Sequence, residues 1–384
     1  EHNIRSRFRC DHQRIEFTII YRATPGLMAR APMRSAKSRT HKHGIFCDFN
    51  ALSALGKSME RIMRCSYEEQ LFHDIDQFRA HMWRLQIEPL QLSRGRLELG
   101  FSSLTFEDLA VTRLDCNRKV SDRLHMDPSW LLLVVQLAPQ RWGANLAPAE
   151  SLTVIAPDTE YRNSVPDGFR CVEAAIRLDL ADELGLGRLS QLKGAEAIIP
   201  ISAAAARSAE HRANQLLGVS ATNGLAVIGG EAAEALRDGC LDFLCFLRGV
   251  AFSTTRGRAI SASTEGKHRF TLVEDALRMI ETAPVEQQPS VAILAATLNT
   301  TRRTLLNAFQ QTLGTSPSRY MLARRLNGVQ RDLHRGKSHT VTYAALDNGF
   351  EHFGRFAYHY RSLFGETPSS TLQRARMIRR DVLD

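Results

Sequence analysis

The side chains in this chain whose type and spacing suit them to chemistry lie in two short stretches near its C-terminal end. Wound at a hundred degrees per residue, residues 301–313 place Leu305, Ala308, Phe309 and Leu313 on one side. Thr301, Arg302, Arg303, Leu306, Asn307 and Gln310 then face outward. Residues 351–364 repeat the arrangement, with Phe353, Phe356, Tyr360, Leu363 and Phe364 inward. Glu351, Gly354, Arg355 and Tyr358 lie on the far side, with His352 and His359 on its flank. Arg, Asn and Gln are the side chains that form paired hydrogen bonds with the edges of guanine and adenine in the major groove. Taken singly, Arg303 or Arg355 reads equally well as part of a solvated helix face.

The two stretches belong to an internal repeat. Phe309-x-x-x-Leu313-Gly314-x-Ser316-Pro317-Ser318 recurs fifty-one residues later as Tyr360-x-x-x-Phe364-Gly365-x-Thr367-Pro368-Ser369, and Leu305 maps to Phe356. Each copy ends a helix at a glycine able to take the left-handed conformation. Each then restarts one with a Ser or Thr cap and Pro at the first helical position. A shorter helix precedes each copy. Val291, Leu294, Ala295 and Leu298 lead to a break at Asn299-Thr300; Val341, Ala344 and Ala345 lead to Asn348-Gly349-Phe350. Two short helices joined by a tight turn describe a helix-turn-helix, at about 290–311 and again at about 340–363. Between them, residues 317–335 form a nineteen-residue helix from Pro317 to the break at Gly336. Arg324, Arg325 and Arg331 on that helix are candidates for phosphate contacts.

Charge is distributed to match. Residues 1–64 carry 13 Lys/Arg against 5 Asp/Glu, and residues 266–384 carry 17 against 10, around a mildly acidic centre. Basic segments favour a polyanionic partner because neutralised phosphates release counterions. The 384 residues suffice for two or three domains. The longest apolar run, Trp130 to Leu137, is far short of the ~20 residues a membrane span needs. Seven scattered cysteines without a C-x-x-C pair disfavour a disulfide scaffold and a zinc ribbon, and fit a reducing cytoplasm.

Upstream, residues 66–199 read as β. Strand-like runs at 97–101, 109–114, 130–137, 151–156 and 171–178 are separated by turns such as Asp127-Pro128-Ser129 and Pro166-Asp167-Gly168, as in a sandwich or barrel. Leu71, Phe72, Ile75 and Phe78 predict a short amphipathic helix ahead of them. Residues 200–252 predict a helical connector, whose Leu236–Leu247 face reads equally well as a dimer surface or as part of the sensor domain's core, and 253–267 have the composition of a linker. Residues 1–65 show no sustained period. They are expected to be disordered, or to lie upstream of a true start at Met59 or Met63, and the His41-Lys42-His43 stretch is read as no metal site.

With these residues in view, the region 268–376 resembles the AraC/XylS family of bacterial transcription regulators. The stretch Gly349-Phe350-x-His352-x-Gly354-Arg355-Phe356-Ala357-x-x-Tyr360-Arg361-x-x-Phe364-Gly365-x-x-Pro368-Ser369 is similar to the family's second helix-turn-helix. Arg303-Thr304-Leu305 with Ser316-Pro317-x-x-Tyr320 is similar to the first, and the variant also resembles regulators related to the ethanolamine-utilisation activator. Asn299 and Leu306 depart from the pattern, the one replacing a small residue in the turn, the other a polar contact residue. The resemblance implies a seven-helix domain whose two recognition helices enter adjacent major-groove segments.

Gln91-Leu92-Ser93-x-Gly95 and Thr153-Val154-Ile155-Ala156-Pro157-x-x-x-Tyr161 more loosely resemble the cupin-like sensor domain found ahead of this module. The fold class expected is therefore α+β multidomain: a cupin-like β-barrel or sandwich, a helical connector, and an all-α C-terminal domain. No H-x-H occurs within 66–199, so a metal-binding cupin lacks its ligands and no cofactor is expected. A cupin-type enzyme with a helical accessory domain is the alternative, but G-x-S-x-G, H-E-x-x-H, a Walker loop and a dinucleotide fingerprint are all missing. The expected function is an effector-responsive activator of a metabolic operon. Its expected partners are double-stranded DNA, a small organic effector, RNA polymerase and a second copy of the chain, with no membrane.

Overall fold

A computed structural model describes residues 2–10, 13–21, 63–79, 81–82, 84–190, 197–218, 224–254 and 262–381. Two compact units result, one of residues 58–372 and one of 1–57 with 373–384.

In the smaller unit, strands β1 (His2–Cys10) and β2 (Gln13–Tyr21) pair antiparallel, with Ile4 opposite Ile19 and Phe8 opposite Ile15. This differs from the disorder expected there. Apolar residues at every second position, Ile15, Phe17 and Ile19, give the segment a short strand period that the Arg-rich surroundings obscure. The His41-Lys42-His43 stretch and Met59 lie outside the described residues.

The larger unit begins with β3 (Arg64–Phe72) and a short α1 (Ile75–Arg79). Of the residues expected to share one helix, Ile75 and Phe78 lie in α1, but Leu71 and Phe72 lie in β3, where Cys65 and Tyr67 are buried on one face and Phe72 on the other, the alternation of a pleated strand. Short strands β4 (Leu85–Ile87) and β5 (Leu90–Gln91) follow, then β6 (Leu99–Thr105), β7 (Leu109–Cys116), β8 (Val120–Met126) and β9 (Trp130–Gln136). Next come β10 (Gln140–Trp142), β11 (Asn145–Ala147), β12 (Ser151–Ile155), β13 (Glu160–Val165) and β14 (Phe169–Arg177). Helices α2 (Leu178–Glu183) and α3 (Gly187–Ser190), strand β15 (Ala197–Pro200), α4 (Ala203–Gly218), β16 (Gly224–Gly229) and α5 (Glu231–Thr254) complete the region.

These strands form two antiparallel sheets. One runs β15-β12-β9-β14-β7-β6-β3-β16; the other runs β11-β10-β13-β8-β4, with β5 also on β8. Leu99, Phe101, Leu132 and Val134 from the first sheet meet Leu124, Met126, Trp142 and Tyr161 from the second in one core. The opposite face of the larger sheet, with Val111, Leu133, Val154 and Val172, is covered by α4 and α5 through Ala209, Ala213, Leu236, Phe243, Leu244 and Leu247. One feature corrects the expected connector: it contains a strand, β16, paired with β3. Of the two readings of the Leu236–Leu247 face, core packing holds, since the face is buried against the sheet.

The C-terminal part is helical: α6 (Thr264–Thr282), a 3-10 turn (Val285–Gln287), α7 (Val291–Thr297), α8 (Arg302–Leu313), α9 (Pro317–Arg335), α10 (Val341–Asp347), α11 (Phe353–Phe364) and α12 (Pro368–Asp381). Helices α6 to α8 share one core, including Val273, Leu277, Leu294, Leu305 and Phe309, into which Tyr320 of α9 inserts. Helices α10 and α11 share another with Leu326, Val329 and Leu333 of α9. Of the expected linker, α5 reaches Thr254 and α6 starts at Thr264, while 255–261 lie outside the described residues.

Candidate nucleic-acid interface

Each helix-turn-helix is closed by local chemistry. Ser290 caps α7 through a bond from Ile293 N at 3.3 Å, and Thr301 caps α8 through one from Thr304 N at 3.1 Å. Such a cap contributes about 1 kcal/mol. Gly314 ends α8 at φ 63°, and Ser316 with Pro317 starts α9. In the second unit Thr340 caps α10 through Tyr343 N at 3.2 Å, and Gly365 ends α11 at φ 74°. His352 occupies the N-cap of α11 without a side-chain cap bond. Aromatic pairs fix the cores: Phe309 meets Tyr320 edge-on with ring centres 6.3 Å apart, and Phe350 meets Phe356 tilted at 4.9 Å.

On this scaffold Thr301, Arg302, Arg303, Leu306, Asn307 and Gln310 are all exposed on α8, opposite buried Leu305, Ala308, Phe309 and Leu313. Glu351, His352, Gly354, Arg355 and Tyr358 are exposed at and along α11, and His359 is half-buried. One residue departs from the expected face: Phe353 is 43% exposed instead of lying in the core. It stands at the first helical position, where the chain has only just entered the helix and does not yet lie over the core residues Phe356 and Tyr360.

Of the five arginines of α9, the three expected to contact phosphate are occupied within the chain. Arg324 donates to Glu281 O at 3.1 Å, Arg325 donates to Asn348 O at 2.9 Å with its guanidinium 4.1 Å from the Phe350 ring centre, and Arg331 pairs with Asp76 at 3.4 Å. A phosphate would have to compete with those partners, so the phosphate role expected of these residues conflicts with their placement. Sequence reasoning also missed the brace of the second turn, where Asn348 donates to Asp332 Oδ2 at 2.8 Å and to Ala344 O at 2.9 Å. The signal was present in Asn348, which precedes the turn glycine.

The β-rich region meets the helices along the whole of α9. At its start Tyr320 donates to Glu281 at 3.2 Å, and Glu281 with Glu274 holds Arg162 of β13 at 3.1 and 2.6 Å. At its end His334 pairs with Asp74, and Arg331 and Arg335 pair with Asp76. Burial raises the Asp76 carboxyl above its ordinary range, partly offset by Arg331. Among the described residues no cluster of three or more His, Cys, Asp or Glu could hold a metal ion. None of the described helices is long and apolar enough to cross a membrane.

A helix-turn-helix domain family matches residues 294–374. Over 76 residues the chain is 42% identical to the XylDLEGF operon transcriptional activator of Pseudomonas putida, covering 19% of this chain and 24% of that one. Over 90 residues it is 40% identical to the probable thc operon regulatory protein of Rhodococcus erythropolis, 23% of this chain and 27% of the other. The chain therefore matches about a quarter of the length of these curated relatives. Among solved structures it is similar to a probable AraC family transcriptional regulator from Rhodopseudomonas palustris CGA009, 37% identical, covering 26% of this chain and 97% of that one, with a TM-score of 0.24. Over residues 294–374 the chain thus carries a duplicated, capped helix-turn-helix region similar to that of AraC/XylS-type transcription regulators.

Proposed function

We infer that the chain is a sequence-specific DNA-binding transcription regulator, an activator of a metabolic operon that answers to a small organic effector. One observation carries the reading. Two recognition helices with exposed faces, bearing Arg, Asn and Gln on α8 and Arg355 with Tyr358 on α11, are mounted on the two ends of a single nineteen-residue helix, α9. At ~1.5 Å rise that helix is roughly 28 Å long, and with its flanking turns it suits major-groove segments ~34 Å apart. In this reading Arg302, Arg303, Asn307 and Gln310 approach bases from α8, and Arg355 does so from α11, flanked by Tyr358 and His359. The two facing sheets serve as a cupin-like sensor, with RNA polymerase and a second copy of the chain as protein partners. The activators of known operons to which the helical region is similar support this assignment over a cupin-type enzyme.

A gel-shift experiment tests it. Full-length protein should retard fragments of a small set of promoters and leave scrambled duplexes free, with affinity falling steeply as salt rises. Equal retardation of every duplex, or none at any salt, overturns it.

A further inference from the structure

The stretch Gln91-Leu92-Ser93-x-Gly95 has no role in the account so far. It leaves the six-stranded sheet at β5 and runs between the two helix-turn-helix units. Gln91 N donates to Asn327 Oδ1 at 3.1 Å, and Asn327 Nδ2 donates back to Gln91 O at 3.1 Å. A loop of the β-rich region is thereby paired, like a rung of sheet, with a side chain in the middle of α9. Leu90 and Leu92 pack on the core of the first unit, and Leu92 packs on that of the second as well.

The same loop reaches the C-terminal end of α11. Gln91 Nε2 donates to Leu363 O at 2.7 Å, sharing its two hydrogens with Ser93 O and Gly95 O. Gly95 N lies 3.0 Å from Leu363 O and 3.2 Å from Ser362 O. Last-turn carbonyls have no partner inside their own helix, so these contacts form a cap donated by another domain. A Cβ on Gly365 would meet Arg96 N at 2.9 Å, so the close approach of these two segments depends on glycine there. On the adjoining loop, Lys119 Nζ donates to Gly314 O at 3.3 Å, at the end of α8, where a cation also suits the negative end of the helix dipole. Gln91 and Asn327 are each 2% exposed. Buried amides need partners in any fold, but partners within one element would meet that need. Here they join the end of α11 and the middle of α9 to one loop, while Lys119 of the adjoining loop reaches the end of α8.

We propose that residues 90–95 and Lys119 form a bracket by which the β-rich region caps both recognition helices and sets their separation. Gln91 and Asn327 are then positioning residues for reading two boxes at a fixed spacing. The proposal rests on the DNA-binding reading above. It separates two properties that a purely structural role would change together: base preference within each box, carried by the exposed faces, and tolerance of the distance between boxes, carried by the bracket.

The test uses the full chain and duplexes selected by it from a randomised library, re-synthesised with the inter-box distance changed by one and two base pairs. Gln91→Met keeps the length of the side chain and removes its donors. In that variant the penalty for altered spacing should shrink about tenfold relative to the unchanged protein, with base preference in each box retained. An unchanged spacing penalty in folded Gln91→Met overturns the proposal. Should that variant fail to fold by circular dichroism, Lys119→Met gives the decisive reading, because it removes one peripheral bond: relaxed spacing supports the bracket and an unaltered penalty overturns it. Failure of the unchanged protein to select any duplex would instead overturn the DNA-binding reading itself.

Discussion

The two helix-turn-helix units share one plan but close their turns and dress their recognition helices differently. In the first, Asn299 takes the left-handed conformation at φ 48°, and in the second Gly349 does so at φ 75°. Asparagine tolerates that region at modest cost, so the departure from a small turn residue leaves the first fold intact. At Gly349 the requirement is steric as well, since a Cβ would meet Val285 Cγ1 at 2.5 Å and Arg325 Nη2 at 3.3 Å. Helix α8 is capped by Thr301 and presents hydrogen-bonding side chains along two turns, interrupted by Leu306. Helix α11 begins at an uncapping His352 and presents small residues, Gly354 and Ala357, beside Arg355 and a Tyr358 that is 66% exposed. The first face carries several polar side chains; the second carries small residues beside one guanidinium and an aromatic ring. One backbone motif thus bears two different outer faces, because the core fixes the helix while its outer face is free to vary.

The comparison can be broken most severely by separating the two boxes. If both units read DNA from one rigid frame, inserting ~5 bp between the boxes turns one groove away from its helix and should abolish specific binding. A footprint that survives undiminished would show that one unit reads alone, and the interrupted face of α8 marks the first unit as the silent one.

Next in size is the contrast between the turns. Gly349→Val should destabilise the protein by roughly 3 kcal/mol through strain and collision, while Asn299→Gly should stay within ~0.5 kcal/mol. Denaturant unfolding of the two variants decides it, and equal effects would mean the turns are not distinguished by packing. Arg355→Ala should relax preference at one base pair by about 1–3 kcal/mol in binding to single-base variants of the site. Arg303→Ala should act likewise in the other box, and uniform weakening on all sequences would assign either residue to the phosphate backbone. The smallest effects concern the caps. Thr301→Ala should cost about 1 kcal/mol, and His352→Asp should add a few tenths by supplying the missing acceptor at the helix N-terminus, both read as shifts in thermal unfolding.

Much of the helical region was legible because its signals are local. Ser316-Pro317, Gly314, Gly336 and Gly365 stand where the helices begin and end, and the apolar spacing of 305, 309 and 313 selects the buried face. The sheets were less legible. Strands β8 and β13 were missed because their inward faces carry Asp122 and Asn163 among apolar residues, which hides the alternation. Burial pushes the Asp122 carboxyl up to about 7, so it can sit in the sandwich as a neutral acid, and nothing in its neighbours along the chain announces that. Likewise, the spacing of Leu71, Phe72, Ile75 and Phe78 suits one helix, but only Ile75 and Phe78 lie in α1, because pairing with β6 holds Leu71 and Phe72 in β3.

By itself, then, the sequence determined the duplicated units, their caps and their outward faces, since each depends on residues within four or five positions of one another. Only the tertiary structure decided what the cations and amides of α9 do. Arg331 met Asp76, Arg325 met the turn at Asn348, and Asn327 met Gln91, a partner 236 positions away. A buried donor takes whichever acceptor the packing brings within about 3 Å, and that choice is made by the meeting of two domains and not by any neighbour in the chain.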